Sequence, residues 1–385
     1  MSNTVAKLRG ITWNHSRGYV PMVATAQRFE ELHPGVEIHW EKRSLQAFAD
    51  HPIAELTERY DLLVIDHPWA GFAADSGVLL DLAAHLPAEF MADQAANTVG
   101  KSHASYDFDG YHCALAIDAA TPVASYRPDL LAKLEMPVPE TWEDLLALAR
   151  RGAVAMPGIP LDTLMNFYMI CSTMGQGPFV DDEWIVDDDT GVQALEMLRE
   201  LASLCTPEIF EWNPIAVYNA LSSRGDLAYC PFAYGYSNYA RSGYANKLLR
   251  FTDMVAIDGH GRCVTTLGGT GLAISATTPH RKIALDYAQF VASPSCQRTL
   301  YADNSGQPGH RQAWLDPEVN RRTHNFFLDT LPALDRAYLR PRYSGYLHFQ
   351  DHAGDPVQAY VRNGGNPKAV LRRMEQLYAE SKKQV

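Results

Sequence analysis

Apolar residues along the chain follow two periods. Over the first 120 residues, short apolar runs such as Leu8–Trp13 and Cys113–Ile117 alternate with amphipathic stretches, the pattern of an α/β layer built on parallel strands. A first helix is predicted at about Pro21–Leu32, with proline in its first turn and Val20, Val23, Ala24 and Leu32 near one face. Pro128-Asp129-Leu130-Leu131 opens a short helix after a segment ending in Tyr126-Arg127. Thr141 and Asp144 form a capping box at the head of a longer one, the hydroxyl taking a helix-start N–H while the carboxylate reaches back. Thr190 is expected to cap a helix with Val192, Leu195, Leu198 and Leu201 in register. His280–Ala292 sets Ile283, Tyr287, Phe290 and Val291 on one side, and a last helix opens at Asn366-Pro367 with Val370, Leu371, Met374, Leu377 and Tyr378 on a stripe. These stripes are core faces.

Composition narrows the function. The 385 residues are 46% hydrophobic and 20% charged, ordinary for a globular chain with a large core. A net charge of −12 without a Lys/Arg block argues against a nucleic-acid partner. Asp181-Asp182-Glu183 and Asp187-Asp188-Asp189 read as solvated loop and helix-start residues, because the spacing of a calcium loop is absent. No run of about 18 apolar residues occurs. Met1–Lys7 lacks an apolar core segment, so no signal peptide is expected. The six cysteines are scattered without a C-x-x-C pair and read as buried thiols, an argument for a reducing compartment.

Motifs of catalysis are missing. There is no G-x-x-x-x-G-K-S/T loop, H-E-x-x-H or G-x-S-x-G elbow, and Gly268-Gly269-Thr270-Gly271 precedes a strand instead of a helix. The fourteen histidines are spread singly, with no pair at ligand spacing on a helix recognisable from sequence. No catalytic residue, metal site or cofactor is therefore expected. Abundant aromatics (19 Tyr, 7 Trp, 14 Phe) supply flat faces with polar edges, suited to stacking on a small polar ligand.

The order of the segments carries a resemblance. Gly110-Tyr111, Tyr126-Arg127-Pro128-Asp129-Leu130-Leu131 and Pro139-Glu140-Thr141-Trp142-Glu143-Asp144-Leu145 are similar to consecutive motifs of family 1 extracellular solute-binding proteins, the maltose-binding-like receptors of ABC importers. Further similar pieces are Phe29–Ile38, Tyr60–Asp66, Gly77–Leu82, Gly268–Ser275 and Ala284–Val291. One departure is Ile117-Asp118, where the family has a proline. The resemblance implies an α/β, two-lobed periplasmic-binding-protein type II fold, with a ligand cleft between lobes joined by a multi-crossover hinge. The lobes would be 1–117 plus 266–310, and 118–265 plus 311–385. The absence of a fixed repeat or low-complexity linker fits a chain that crosses more than once.

Ligand-binding residues follow from that frame. Trp13, His15 and Arg17 come after the first strand, where a guanidinium beside a helix start would form an anion site. Ser44 and Gln46 follow the second strand, and Asp66 and Trp69 the third. Asp118 joins them from the crossing strand. Tyr234, Tyr236 and Asn238 lie in the loop where the family carries a stacking aromatic, and Gly269 and Thr270 offer backbone N–H groups. Gln307 and Arg311 are weaker candidates.

The expected function is non-catalytic capture of a small solute, a saccharide or polyol first, by lobe closure and delivery to ABC permease subunits by a monomer. A carboxylate-bearing solute anchored by Arg17 is the alternative. A cytoplasmic sensor would suit the missing leader and free thiols, although the family implies a periplasmic location. A sugar hydrolase would need two carboxylates, for which only Asp66 and Asp118 are available.

Overall fold

The computed structural model describes residues 5–50, 52–175, 177–180 and 184–383, without the side chains of Gln46, Ala49 and Asp50. Asp181, Asp182 and Glu183 lie outside the described residues. The chain forms two compact units, one of Met1–Ala120, Gly268–Arg321 and Arg342–Ser344, the other of Thr121–Leu267, Arg322–Pro341 and Gly345–Val385.

In the first unit, strands β1 (Ala6–Trp13), β2 (Val36–Arg43), β3 (Leu62–Ile65) and β4 (Leu115–Ala120) share one direction, and β8 (Gly268–Ile274) runs antiparallel between β3 and β4. β3 and β4 are buried from end to end, which explains the unbroken apolar reading of β3 and of β4 up to Ile117, with Asp118 the one charged residue in β4. Because four strands run one way, the carboxyl ends of β1–β4 and the amino end of β8 gather along one sheet edge. Behind the sheet, the Tyr287 hydroxyl joins Thr25 Oγ1 at 2.9 Å, accepts from Trp40 Nε1 at 3.2 Å and donates to the Met22 carbonyl at 3.2 Å. That network satisfies a polar group inside an apolar core.

Helix α1 spans Ser16–Leu32, starting earlier than the Pro21 expected from sequence. His15 supplies the reason: its Nδ1 accepts from the Arg17 N–H at 3.0 Å, capping the helix upstream. Pro21 then sits inside the helix, where its missing N–H costs one backbone bond. A Cβ on Gly18 would lie 2.3 Å from the Trp13 ring, so glycine is what lets the first turn close on that indole. The first unit also extends beyond residue 310. Trp314 Nε1 donates to the Pro308 carbonyl at 2.6 Å, and the Gly71 N–H donates to the Arg342 carbonyl at 2.8 Å.

The second unit centres on β5 (Pro122–Tyr126), flanked antiparallel by β6 (Tyr229–Tyr234) and β7 (Arg250–Thr252). Helix α2 (Pro128–Lys133) follows, then α3 (Trp142–Ala149), which begins with the Thr141/Asp144 capping box. Helix α4 (Pro160–Met174) is buried along nearly its whole length. Helix α5 (Asp188–Ser203) is capped by Asp187, not by Thr190; Asp187 Oδ1 accepts the Thr190 N–H at 2.9 Å. Thr190 contributes the donor, because the acidic run before it offers an earlier and better acceptor. Helix α6 (Pro214–Ser223) belongs to this unit, while α7 (Arg281–Ala292) packs in the first.

Helices α8 (Phe326–Asp335), α9 (Tyr346–Asn363) and α10 (Pro367–Ser381) complete the chain. The sequence reading assigns no element to α9, where Pro356 lies inside the helix. Tertiary packing retains the helix: a Cβ at Gly354 would lie 2.6 Å from the Pro160 carbonyl oxygen, so α9 and α4 meet backbone to backbone. Phe179 is boxed by Tyr168, Tyr346, Phe349 and Tyr378 at ring distances of 5.1–6.1 Å. Many aromatics are thus core. All six cysteines are free thiols, and among the described residues no helix is long and apolar enough to cross a membrane.

Candidate functional site

The carboxyl edge of the first sheet is where an open α/β layer offers its loops to a ligand. Arg17 reaches across it to β4. Its Nε donates to Asp118 Oδ2 at 2.8 Å and its Nη2 to Oδ1, a bidentate pair with both side chains buried. Burial pushes the Asp118 carboxyl up from the ordinary range, opposed by the Arg17 charge and by N–H groups of Thr270 and Gln307. The expected anion site at Arg17 is therefore corrected: the protein supplies the anion itself. Asp118 likewise has its oxygens engaged within the unit.

Other expected residues take several places. Trp13 lies in the core at 3% exposure, tilted against Phe48, instead of forming a platform. Ser44 is exposed and its Oγ accepts from the Ala47 N–H at 3.1 Å; the Gln46 side chain is outside the described residues. Asp66 follows β3, accepts from the His67 N–H at 2.8 Å and keeps partial exposure. Trp69 is half-buried, edge-on to Phe72 at 5.6 Å. Gly269 has φ +100 and a Cβ there would meet the Asp118 carbonyl at 2.4 Å, so its glycine serves backbone approach to β4. Thr270 is buried and its Oγ1 has no partner among the described residues. Gln307 donates to the Ala119 carbonyl at 2.9 Å, and Arg311 Nε to the Thr98 carbonyl at 3.3 Å.

In the second unit, the Tyr234 hydroxyl meets Thr266 Oγ1 at 3.1 Å, and its carbonyl accepts from Tyr218. Tyr236 is buried edge-on to Tyr218 at 6.3 Å. Asn238 is fully buried, and neither its Oδ1 nor its Nδ2 finds a partner among the described residues. A buried amide without partners is costly and marks a place for a bound molecule or water.

The model for bacterial extracellular solute-binding proteins matches residues 24–326. The chain belongs to this family. A relative named probable ABC transporter-binding protein, from Deinococcus radiodurans, is 25% identical over 351 residues, covering 82% of this chain and 78% of its own. Among solved structures, maltose-bound MalE3 of T. maritima superposes with a TM-score of 0.84 at 18% identity, over 99% of this chain and 100% of that one. An ABC transporter solute-binding protein of Agrobacterium radiobacter K84 in complex with ribitol gives 0.83 at 20%, over 99% of each chain. One from Thermotoga lettingae, bound with α-D-tagatose, gives 0.81 at 16%, over 97% and 100%. These likenesses establish the two-lobed α/β fold.

Two residues of this solute-binding protein escape a reading of the sequence. Arg43 ends β2 opposite Trp13; its Nη1 donates to the Ala47 carbonyl at 3.1 Å, while its Nε has no partner among the described residues. Burial pushes its guanidinium down to about 10. Its position as the last residue of the second strand is the signal available. His67 follows Asp66 and is wholly buried, with Nδ1 3.1 Å from Asp66 Oδ1. Among the described residues, no group of three or more His, Cys, Asp or Glu side chains is arranged to hold a metal.

His15 and His112 make stability pH-dependent. Burial first, then the Arg17 charge, holds His15 down at about 4 from an ordinary 6.5. Burial and the stacked His103 hold His112 at about 4, against the opposing pull of Asp107 and Asp81. Both are neutral when folded, so their contribution is complete above pH 6.5 and is lost as pH falls toward 4. Urea denaturation at pH 7.5, 6.5, 5.5 and 4.5 is expected to give a falling midpoint, with a shallower fall in His112→Phe. Parallel curves for the variant and the wild type would exclude this origin.

Proposed function

We propose that the protein captures a small, uncharged polyhydroxy solute, a saccharide or polyol, without chemical change and delivers it to an ABC import permease. Charge balance at the sheet edge is the observation that carries this reading. Arg17 and Asp118 neutralise each other, and His15 is uncharged above about pH 4. Thr270 Oγ1 and the Asn238 amide are neutral groups in need of hydrogen-bond partners. Solved neighbours holding maltose, ribitol and α-D-tagatose support the same class. In this reading the protein works as a periplasmic monomer, and ligand binding favours closure of the two units because the closed state makes more contacts.

A second reading has one observation behind it. A carboxylate-bearing solute would be received by Arg43, whose Nε lacks a partner among the described residues, and not by Arg17. A thermal-shift screen of saccharides, polyols and small carboxylic acids, on wild type and Arg43→Gln, separates the two. A ligand at about 100 times its Kd adds roughly 2.7 kcal/mol to stability, a shift of several degrees. The first reading expects a sugar or polyol hit that survives Arg43→Gln. An acid hit lost in that variant would replace it with the second, and silence across the panel would remove both.

A further inference from the structure

Helix α9 turns Tyr346, Phe349, Ala353, Val357 and Tyr360 into the second unit. Its other face carries His348, half-buried, with His352 and Asp355 exposed. Residues four apart stand one above the other on a helix, and His348 and His352 are the one pair of histidines in the sequence with that spacing. Their rings lie 4.4 Å apart between centroids with 36° between planes. Two ligand atoms about 2.0–2.1 Å from a tetrahedral zinc ion are roughly 3.4 Å apart, which rings so placed meet by small side-chain rotations. The expectation that no histidine pair has ligand spacing on a helix recognisable from sequence is corrected here: Tyr346, Phe349, Ala353, Val357 and Tyr360 recur at helical spacing, and α9 carries the pair on its other face.

A second observation concerns the proton. His352 Nδ1 is 2.7 Å from the His348 carbonyl oxygen. A carbonyl only accepts, so Nδ1 carries the hydrogen and Nε2 carries the lone pair. An Nδ1–H held by a carbonyl is how metal-binding imidazoles are oriented for coordination through Nε2. Pro356 also lacks the N–H that would bond the His352 carbonyl, so the helix is weakest one turn beyond the pair. A metal bridging residues 348 and 352 would staple the turn that leads into that region.

We propose that His348 and His352 chelate one divalent transition ion of the zinc, nickel and copper class through their imidazole nitrogens. Imidazole pairs suit these ions; magnesium and calcium prefer oxygen ligands. No group of three His, Cys, Asp or Glu side chains is arranged for a metal among the described residues, so water fills the remaining coordination positions. Asp355, seven residues from His348 on the same stripe, adds negative charge beside the ion. This site is independent of the solute reading.

The test titrates full-length protein without an affinity tag, stripped by chelator, with Cu2+ and with Zn2+ by calorimetry. Wild type is expected to take up one equivalent in its tightest phase, more weakly at lower pH because protons compete for the imidazoles. His348→Ala and His352→Ala are each expected to weaken that phase at least tenfold, and the double variant no further, since one imidazole is not a chelate. Zinc is expected to raise the melting temperature of wild type only, and magnesium that of none. The metal-free melting curve of His352→Ala should stay close to wild type, because that side chain is exposed, and each variant's zinc response is read against its own metal-free curve. The proposal is overturned if the double variant titrates like wild type, or if the losses of the two single variants add in the double.

Discussion

Arg17→Ala is expected to destabilise the folded protein by about 3–5 kcal/mol, the usual consequence of leaving a buried charge without its partner. Asp118 is 1% exposed on β4, and Arg17 is its sole cation partner among the described ion pairs. The N–H groups of Thr270 and Gln307 offset only part of that charge. Replacing both partners, Arg17→Met with Asp118→Leu, is expected to cost far less than either single change, because neither charge then remains buried. Guanidinium denaturation followed by circular dichroism measures both. A single variant within about 1 kcal/mol of wild type would mean that water reaches Asp118 and the pair is not sealed.

Asn238→Leu should act in opposite directions on stability and binding. The amide is fully buried with neither polar atom bonded among the described residues. A similar-sized apolar side chain removes that desolvation cost, so the ligand-free protein is expected to gain about 1–3 kcal/mol. If the amide is held for a solute, affinity for the hit from the screen falls at least tenfold in the same variant. Such a trade is typical of groups kept unsatisfied for function. Calorimetric titration and denaturation of the two proteins give both numbers. Lower stability in the variant would instead assign the amide to a buried water that belongs to the fold.

Much of the architecture is local in origin and therefore legible in the amino-acid order. The Thr141/Asp144 box, the proline opening α2 and the Asn366 cap of α10 each depend on residues within one turn. The period-3.6 stripes of α5 and α10 likewise report which face is buried, but the stripe read for α1 does not: Val20, Val23 and Leu32 are exposed, and Met22, Ala26 and Phe29 face the core instead. Where a local signal has competitors, the outcome turns on contacts. Asp187 displaces Thr190 as a cap, His15 starts α1 upstream of Pro21, and α9 persists through Pro356 by packing on α4.

The candidate site is legible in the sequence only as an address. The ends of β1, β2 and β3 can be marked because parallel strands bring their carboxyl ends to one edge of the first unit's sheet. What each side chain does there is not legible. Trp13 and Tyr236 look like platforms in a string of letters, yet packing against Phe48 and Tyr218 makes them core. Arg17 looks like an anchor for an anion, but its anion comes from 101 residues away. By itself the sequence determined the elements, the family and the edge at which a ligand would be sought, since those rest on short-range periodicity and order. Only the tertiary structure decided which charges are spent on each other, which aromatics are core and which polar groups remain to be satisfied. Those depend on pairings between residues far apart in the chain, and a burial cost of several kcal/mol leaves no local trace.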